Sequence, residues 1–476
     1  MIGIVSLIIV TVVIIYFFKK RNSKKYFYLK GKNKTYEIRN LDRGIIGVGG
    51  AGSGKTFSLI NPLLAHLIEE RGVLCFDPKG DLSSLINKKA IQVNKPILNF
   101  SLDKNYDRIN PLTLCDDKSD IIDFSSYFLS GIVGIPKNDN AKYFFNSAKS
   151  ILTGVIIYLK NKGEKYTTIP HVIALFLTVS PEELIKLLSS DNEAKRASTI
   201  LLSVKDDPKL LGSIISTFTA FFASLDTPKI YRNLLTEEKL NLPNNPENPC
   251  VINLIFNLQK RDLYSPIYSS IIGLVLKKMN TSNQHKSAVI IDEFTCLAIP
   301  DFQNIPETAR SNKIATCIAI QDFSQLVNRY DKEVASSIIS NMGTQLLFRT
   351  TNPETLDHFQ RTLGTRETKK ESKTTPDFSI TSSKTVSYTD RNIMQKEDII
   401  KFKPGQAWGI IAEGNHHFVE SDQINGNHYL KHLENIEFEL NITDDERERY
   451  ESVYTDINEL LGKKKSQPPV KFNIQK

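Results

Sequence analysis

Gly49-Gly50-Ala51-Gly52-Ser53-Gly54-Lys55-Thr56 is the stretch on which the reading of this chain turns. It fits G-x-x-x-x-G-K-[ST], a spacing with a physical purpose. Glycines let successive backbone N–H groups turn inward around phosphate oxygens, and the helix that follows offers its positive end to the same charge. The flanks supply the context the motif needs. Gly44-Ile45-Ile46-Gly47-Val48 is a short apolar run suited to a buried strand, and Phe57 to Ile68 carries apolar residues at helical spacing with Pro62 early in it. Strand, glycine loop and helix predict a site for ATP. Gly49, Gly50, Ala51, Gly52, Ser53 and Gly54 would cradle phosphates, Lys55 reach the β- and γ-phosphates, and the Thr56 hydroxyl ligate Mg²⁺.

A site of this kind needs acids at the end of a second strand. Ser287-Ala288-Val289-Ile290-Ile291-Asp292-Glu293 provides them. Asp292 is placed to hold Mg²⁺ through its water shell and Glu293 to orient, or take a proton from, an attacking water. Ile314 to Ile320 is a further apolar strand followed by Gln321, a polar side chain placed to touch the γ-phosphate and report its loss. Gly72 to Asp77, Lys95 to Phe100 and Cys250 to Ile255 read as additional buried strands, with Asp81 expected to cap the helix that starts at Leu82. Strands alternating with helices predict an α/β fold of the P-loop NTPase (RecA-like) type, a mainly parallel sheet with helices on both faces.

Between Thr113 and Leu240 the strand signals stop. Apolar residues recur at spacings of three and four, as in Ala148, Ile151, Leu152, Val155, Ile156 and Leu159, and again from Leu210 to Leu225. Ser180-Pro181-Glu182-Glu183 opens a helix with a cap, a first-turn proline and first-turn acids. An all-α domain inserted into the sheet follows, its stripes being core faces without chemistry.

The N-terminus has a different character. Ile2 to Phe18 holds no charge, short but sufficient for a spanning helix, and Lys19-Lys20-Arg21 begin a basic run with no acid before Glu37. This predicts an uncleaved anchor with the bulk of the chain on the cytoplasmic side of a membrane. The other end is polar. Thr362 to Lys396, rich in Ser, Thr and Lys, reads as an exposed loop; Lys403 to Ile411 reads as a hairpin or final strand; a helix from Asp444 to Leu461 precedes a basic tail. The expected units are therefore an anchor (1–18), a basic juxtamembrane segment (19–43), an ATPase domain (44–112 and 246–440), the helical insert (113–245) and a C-terminal helix with tail (441–476).

Composition sets the outer bounds. At 476 residues, 40% hydrophobic and 24% charged, the chain is globular and long enough for several units, and a net charge of +8 permits a polyanionic partner. Five cysteines without a C-x-x-C pair predict buried, reduced thiols rather than a disulfide framework or zinc site.

Taken in order, the P-loop from Gly49 to Thr56, the turn Asp77-Pro78-Lys79-Gly80-Asp81, Asn110-Pro111-Leu112, Asp292-Glu293 and Gln321-Asp322-Phe323-Ser324-Gln325-Leu326 resemble the type IV coupling proteins, the ATPases of conjugation and type IV secretion. The resemblance runs from about Gly44 to Asn415. It implies a membrane-anchored hexamer that hydrolyses ATP with Mg²⁺ and delivers DNA, single-stranded and linked to a relaxase, to components of a type IV secretion channel. Lys55, Thr56, Asp292, Glu293 and Gln321 would serve that chemistry. Arg310, which as a bare sequence feature is a solvated helix arginine, falls where the family places an arginine finger acting on the neighbouring subunit. The chain departs from its likeness in showing one short apolar segment where similar members have two membrane helices. Two other functions share these motifs: a double-stranded DNA translocase of the chromosome-segregation type, and a docking receptor for secreted proteins.

Overall fold

The computed structural model describes residues 26–200, 208–374, 383–429 and 445–463. Its centre is a nine-stranded sheet in the order β13-β12-β9-β3-β8-β7-β4-β6-β5. The strands are β3 (Ile45–Val48), β4 (Gly72–Asp77), β5 (Ile97–Phe100), β6 (Val251–Ile255), β7 (Ser287–Ile291), β8 (Ile314–Ile320), β9 (Thr344–Leu347), β12 (Gln406–Ile410) and β13 (Phe418–Gln423). From β9 to β5 every neighbouring pair is parallel, whereas β12 runs antiparallel to both β9 and β13. The result is a mixed, mainly parallel sheet.

Side chains of a strand alternate between its two faces, and here both faces meet apolar cores. Ile45, Val73, Cys75, Ala288 and Ile290 enter one core; Ile46, Val48, Leu74, Phe76, Val289 and Ile291 enter the other. Double burial explains why these strands read as continuous apolar runs instead of alternating ones. All five cysteines are free and buried among them or their helices.

The second core continues into a bundle built by helices Lys118–Val133, Asp139–Lys162, Ile169–Thr178, Pro181–Ser190, Asn192–Ala197, Pro208–Leu225 and Pro228–Leu234. Most start where a short polar side chain caps them: Asp117, Asn138, Thr168, Ser180, Asp191 and Thr227 each accept a hydrogen bond from a first-turn N–H. The bundle is fastened to the sheet by helix Arg261–Met279, which packs along Lys118–Val133. A Cβ at Gly131 would stand 2.3 Å from Pro266 Cα, so only glycine permits that approach. Helix Glu446–Leu460 returns to the same bundle, where Tyr450 donates to Asp226 Oδ2 at 3.0 Å and Lys165 pairs with Asp456 at 3.1 Å.

Three expectations need correction. Within the basic segment 19–43, residues from Phe27 onward are part of the fold: β1 (Phe27–Lys30) and β2 (Thr35–Ile38) form a hairpin whose Phe27, Leu29, Tyr36 and Ile38 are buried. Buried Asp422 holds its turn, accepting from Asn33 N, Lys34 N and the Tyr36 hydroxyl at 3.0–3.2 Å. The polar stretch expected as a loop is a second hairpin, β10 (Thr365–Thr374) with β11 (Ser383–Asn392), which pairs with no other strand among the described residues. Its described side chains are exposed apart from half-buried Thr368, and β10 carries no apolar residue that alternation could mark. Helix Ser83–Gln92, lastly, takes its cap from Asp77 and not Asp81: Asp77 Oδ2 accepts from Leu82 N and Ser83 N at 2.9 and 3.1 Å.

Among the described residues no single helix is long and apolar enough to cross a membrane. The anchor expected over residues 1–18 lies outside the described residues, as does the basic tail beyond residue 463.

Candidate nucleotide site

Sheet register assembles the site. Val48 pairs with Ile320 and Phe76 with Ile291, so the residues one step beyond, Gly49 with Gln321 and Asp77 with Asp292, leave the sheet side by side. All come from the four neighbouring strands β3, β8, β7 and β4, at their carboxyl ends, where open α/β sheets leave a crevice. A cleft of about 310 Å³ opens there, lined by Ala51 to Phe57, Asp77, Pro78, Lys79, Asp81, Leu82, Asp292, Glu293 and Gln321.

The loop from Gly49 to Lys55 is held by backbone contacts with partners far away in sequence. Gly49 N–H donates to Ile320 O at 3.2 Å, Gly50 N–H to Arg349 O at 2.9 Å, and Gly405 N–H to Ser53 O at 2.7 Å. Gly54 has φ +91°, and a Cβ there would stand 2.3 Å from Gly405 N, so conformation and space both demand glycine. After Thr56 the helix opens with one wide turn, the Asn61 N–H reaching back five residues to Thr56 O.

Charge converges on this loop. The Lys55 ammonium is nearly buried and rests on the carbonyls of Gly49 and Gly50. Burial pulls its pKa down, an effect opposed by the carboxylates of Glu293 and Asp292 and reinforced by Lys79. Asp292 is buried too, and burial pushes its carboxyl above the usual range, against the pull of Thr56 and Lys55. The Thr56 hydroxyl donates to Asp292 Oδ2 at 3.0 Å. Glu293 follows in the left-handed conformation, φ 69°, which swings its side chain toward β8. There Gln321 Nε2 donates to Glu293 Oε2 at 2.9 Å and the Thr295 hydroxyl donates to Oε1 at 3.1 Å.

These residues suit a magnesium nucleotide. Thr56 and Asp292 offer adjacent hard oxygen ligands of the sort Mg²⁺ prefers. The buried Ser53 hydroxyl has no partner among the described residues, an orphaned group in the loop. Mg²⁺, when bound, would neutralise charge on the phosphates.

The structure thus brings Gly49 to Thr56, Asp292, Glu293 and Gln321 to one cleft. Arg310 is not among them: it is exposed in the last turn of helix Ile305–Ser311, outside the lining of its own chain's cleft. Residues the sequence did not assign to the site also line it, Phe57, Asp77, Lys79 and Asp81. Asp77 is the buried one. Its two oxygens accept from Lys79 N, Gly80 N, Leu82 N, Ser83 N and the Ser83 hydroxyl at 2.8–3.3 Å, fixing the Pro78-Lys79-Gly80-Asp81 turn at the mouth. The D-P-K-G-D pattern at a strand end was the available signal for it.

Comparison with known proteins agrees with this architecture. The family profile described as "Type IV secretory system Conjugative DNA transfer" matches residues 12–424. No match is found among curated proteins. Among solved structures, the bacterial conjugative coupling protein TrwB in an unbound form aligns with a TM-score of 0.62 at 15% identity, over 81% of this chain and 87% of that one. TrwB with the non-hydrolysable ATP analogue ADPNP gives 0.59 at 15% identity over 80% and 85%. TrwB with ADP and Mg²⁺ gives 0.57 at 15% identity over 82% and 88%. At that identity the likeness speaks for the fold.

Proposed function

This chain belongs to the type IV secretory system conjugative DNA transfer family, and from that premise we propose that it is a membrane-anchored ring ATPase that delivers single-stranded, relaxase-linked DNA into a type IV secretion channel. The observation that carries the reading is the meeting of Lys55, Thr56, Asp292 and the Glu293–Gln321 pair at one cleft. The solved TrwB complexes with ADPNP and with ADP and Mg²⁺ support nucleotide and Mg²⁺ as its ligands. In this reading Lys55 binds the β- and γ-phosphates and Thr56 with Asp292 holds Mg²⁺. Glu293, steadied by Gln321 and Thr295, orients the attacking water and takes its proton. Gln321, bonded to that carboxylate, would also touch the γ-phosphate, so that departure of the phosphate is felt at Glu293.

Arg310, exposed and away from its own cleft, is the residue proposed to complete a neighbour's site in a hexameric ring. ATPase activity per molecule should then rise with protein concentration. Arg310→Ala should lower it about tenfold or more, and mixing that variant with Lys55→Ala should restore part of it, since each supplies what the other lacks. Equal specific activity at all concentrations would remove the ring.

The same assay tests the polymer. Stimulation by single-stranded DNA is expected. Stronger stimulation by double-stranded DNA would favour a translocase of the chromosome-segregation type, and indifference to both would favour a docking receptor for proteins.

A further inference from the structure

Immediately past the acid pair, two arginines meet one carbonyl oxygen. Arg261, first residue of helix Arg261–Met279, donates from Nη2 to Thr295 O at 2.6 Å. Arg329, in the last turn of helix Phe323–Tyr330, donates from Nε to the same oxygen at 3.2 Å and from Nη2 to Cys296 O at 3.5 Å. Neither has a carboxylate within ion-pair distance among the described residues. Arg261 Nε is buried with no hydrogen-bond partner among the described residues. A third cation stands close by: Lys137, on the linker between helices Lys118–Val133 and Asp139–Lys162, donates to Asn328 O at 2.7 Å. The acids whose charge reaches this group are exposed Asp262, the weakest of the influences on Arg329, and Glu293 and Asp292, both felt at Cys296.

Holding a carbonyl in place needs one donor. Two guanidiniums, half-buried and like-charged, exceed that need and cost free energy unless an anion joins them. Each keeps unused N–H groups in a planar fork, the geometry that matches phosphate oxygens. Position supplies the rest. Arg261 follows β6, Thr295 follows β7 and Arg329 lies on the helix after β8, so the group shares the sheet edge that carries the nucleotide cleft. Thr295 joins the two: its carbonyl receives both arginines while its hydroxyl donates to Glu293. A second link runs through Gln325, one turn before Arg329, whose Nε2 donates to Gln321 Oε1 at 3.4 Å.

We propose that Arg261 and Arg329 form a binding site for a backbone phosphate of the transported nucleic-acid strand, and that Thr295 relays its occupancy to Glu293. The inference rests on the function proposed above in taking DNA as the cargo. An anion drawn between the guanidiniums competes with Thr295 O for their protons, freeing the loop Phe294–Cys296 to shift, and with it the hydroxyl that positions Glu293. Thr295 is a positioning residue.

The test is binding of a labelled oligodeoxythymidine, followed by fluorescence anisotropy across a salt series in full-length protein. For single strands each phosphate contact contributes about 0.7 to the slope of log K against log salt, so Arg261→Gln with Arg329→Gln, which together remove one contact, should lower it by about 0.7. Because that variant also loses two donors to Thr295, wild-type protein is probed in parallel. Phenylglyoxal should modify Arg261 and Arg329, read by mass spectrometry, and the oligonucleotide should protect both. Thr295→Val should keep the wild-type slope yet lose DNA stimulation of kcat with KM for ATP unchanged. An unchanged slope in the folded double variant, or unprotected arginines in DNA-bound wild type, overturns the site while leaving the motor reading intact. Wild-type protein that binds no oligonucleotide at any salt overturns both. Stimulation surviving in Thr295→Val removes the relay.

Discussion

The sheet and the helical bundle attached to it use buried charge differently: at the strand ends it lines a cleft. In the bundle, by contrast, Asp120 pairs with Lys277 and Lys278, and Arg232 donates to Tyr106 O and Asn233 Oδ1, outside the cleft lining. In the sheet, Lys55, Asp77 and Asp292 are buried at strand ends and in the loop that follows β3, Lys55 donating to backbone carbonyls and the two aspartates accepting from neighbouring donors. In the bundle the centre is aromatic: Phe222 is fully buried, with ring centroids of Phe176, Phe218, Phe128 and Phe221 within 5.2–6.0 Å. Burying charge is costly unless it does something that apolar packing does not. The contrast teaches where to look for chemistry. Substitutions at the strand ends should change turnover, and substitutions in the bundle should change stability.

The largest effect expected is at Lys55. Lys55→Ala removes the buried ammonium from the phosphate side of the cleft and should lower ATP hydrolysis by about 1,000-fold, in line with loss of a preorganised electrostatic group. Titration with a fluorescent ATP analogue should show nucleotide binding lost along with it. Glu293→Gln comes next. It keeps the shape and an acceptor for Gln321 but removes the base, so turnover should fall about 100-fold or more while nucleotide still binds. If both variants hydrolyse ATP at the wild-type rate, the strand-end charges serve something else and the comparison fails on its sheet side.

Phe222→Ala attacks the other side. Emptying that space should cost about 3–5 kcal/mol of stability, read as a lower denaturant midpoint. KM for ATP in the molecules that remain folded should not move. A changed KM would mean that bundle and cleft are mechanically joined, sharpening the contrast into a coupling.

Legibility in the sequence follows the same division. Strands β3, β4, β7 and β8 could be read because double burial makes them apolar runs, and their punctuation by glycine or acid marks the ends that carry chemistry. The P-loop and Asp292-Glu293 were legible for that reason, and sheet register does bring them together with Gln321. What could not be read depends on contacts between distant residues. Nothing near Gly405 announces that its backbone seats the P-loop at Gly54. Nothing near Asp422 announces that it anchors the turn of a hairpin almost 400 residues earlier, or that the basic segment there contributes Phe27 and Tyr36 to a core. The β10–β11 ribbon was illegible for the reverse reason: its described side chains are almost all exposed, and β10 holds no apolar residue for period-two alternation to mark. Thr295, a polar residue in an apolar stretch, gained meaning only when its hydroxyl was found on Glu293 and its carbonyl under two arginines.

The smallest effect expected lies on the first helix after the P-loop, where a titratable side chain is buried on the apolar side. His66, 6% exposed, sits against Phe27 and Tyr429 with ring centroids at 5.6 and 6.0 Å. Burial brings its pKa down from 6.5 to about 4, with Glu69 opposing and Arg71 and Lys89 assisting. The folded state therefore keeps this imidazole neutral where the unfolded chain protonates it. Its contribution is intact above the unfolded value of 6.5 and is lost as pH falls from there through about 4, reaching about 3 kcal/mol at the acid end. Carboxylates add their own slope in that range, so the decisive quantity is a difference. Denaturant midpoints compared at near-neutral and acidic pH should fall further for wild type than for His66→Leu, because the variant has no imidazole to charge. Parallel curves would mean that the imidazole takes a proton without leaving the fold, and that buried charge is tolerated on the apolar side of this sheet as well as at its strand ends.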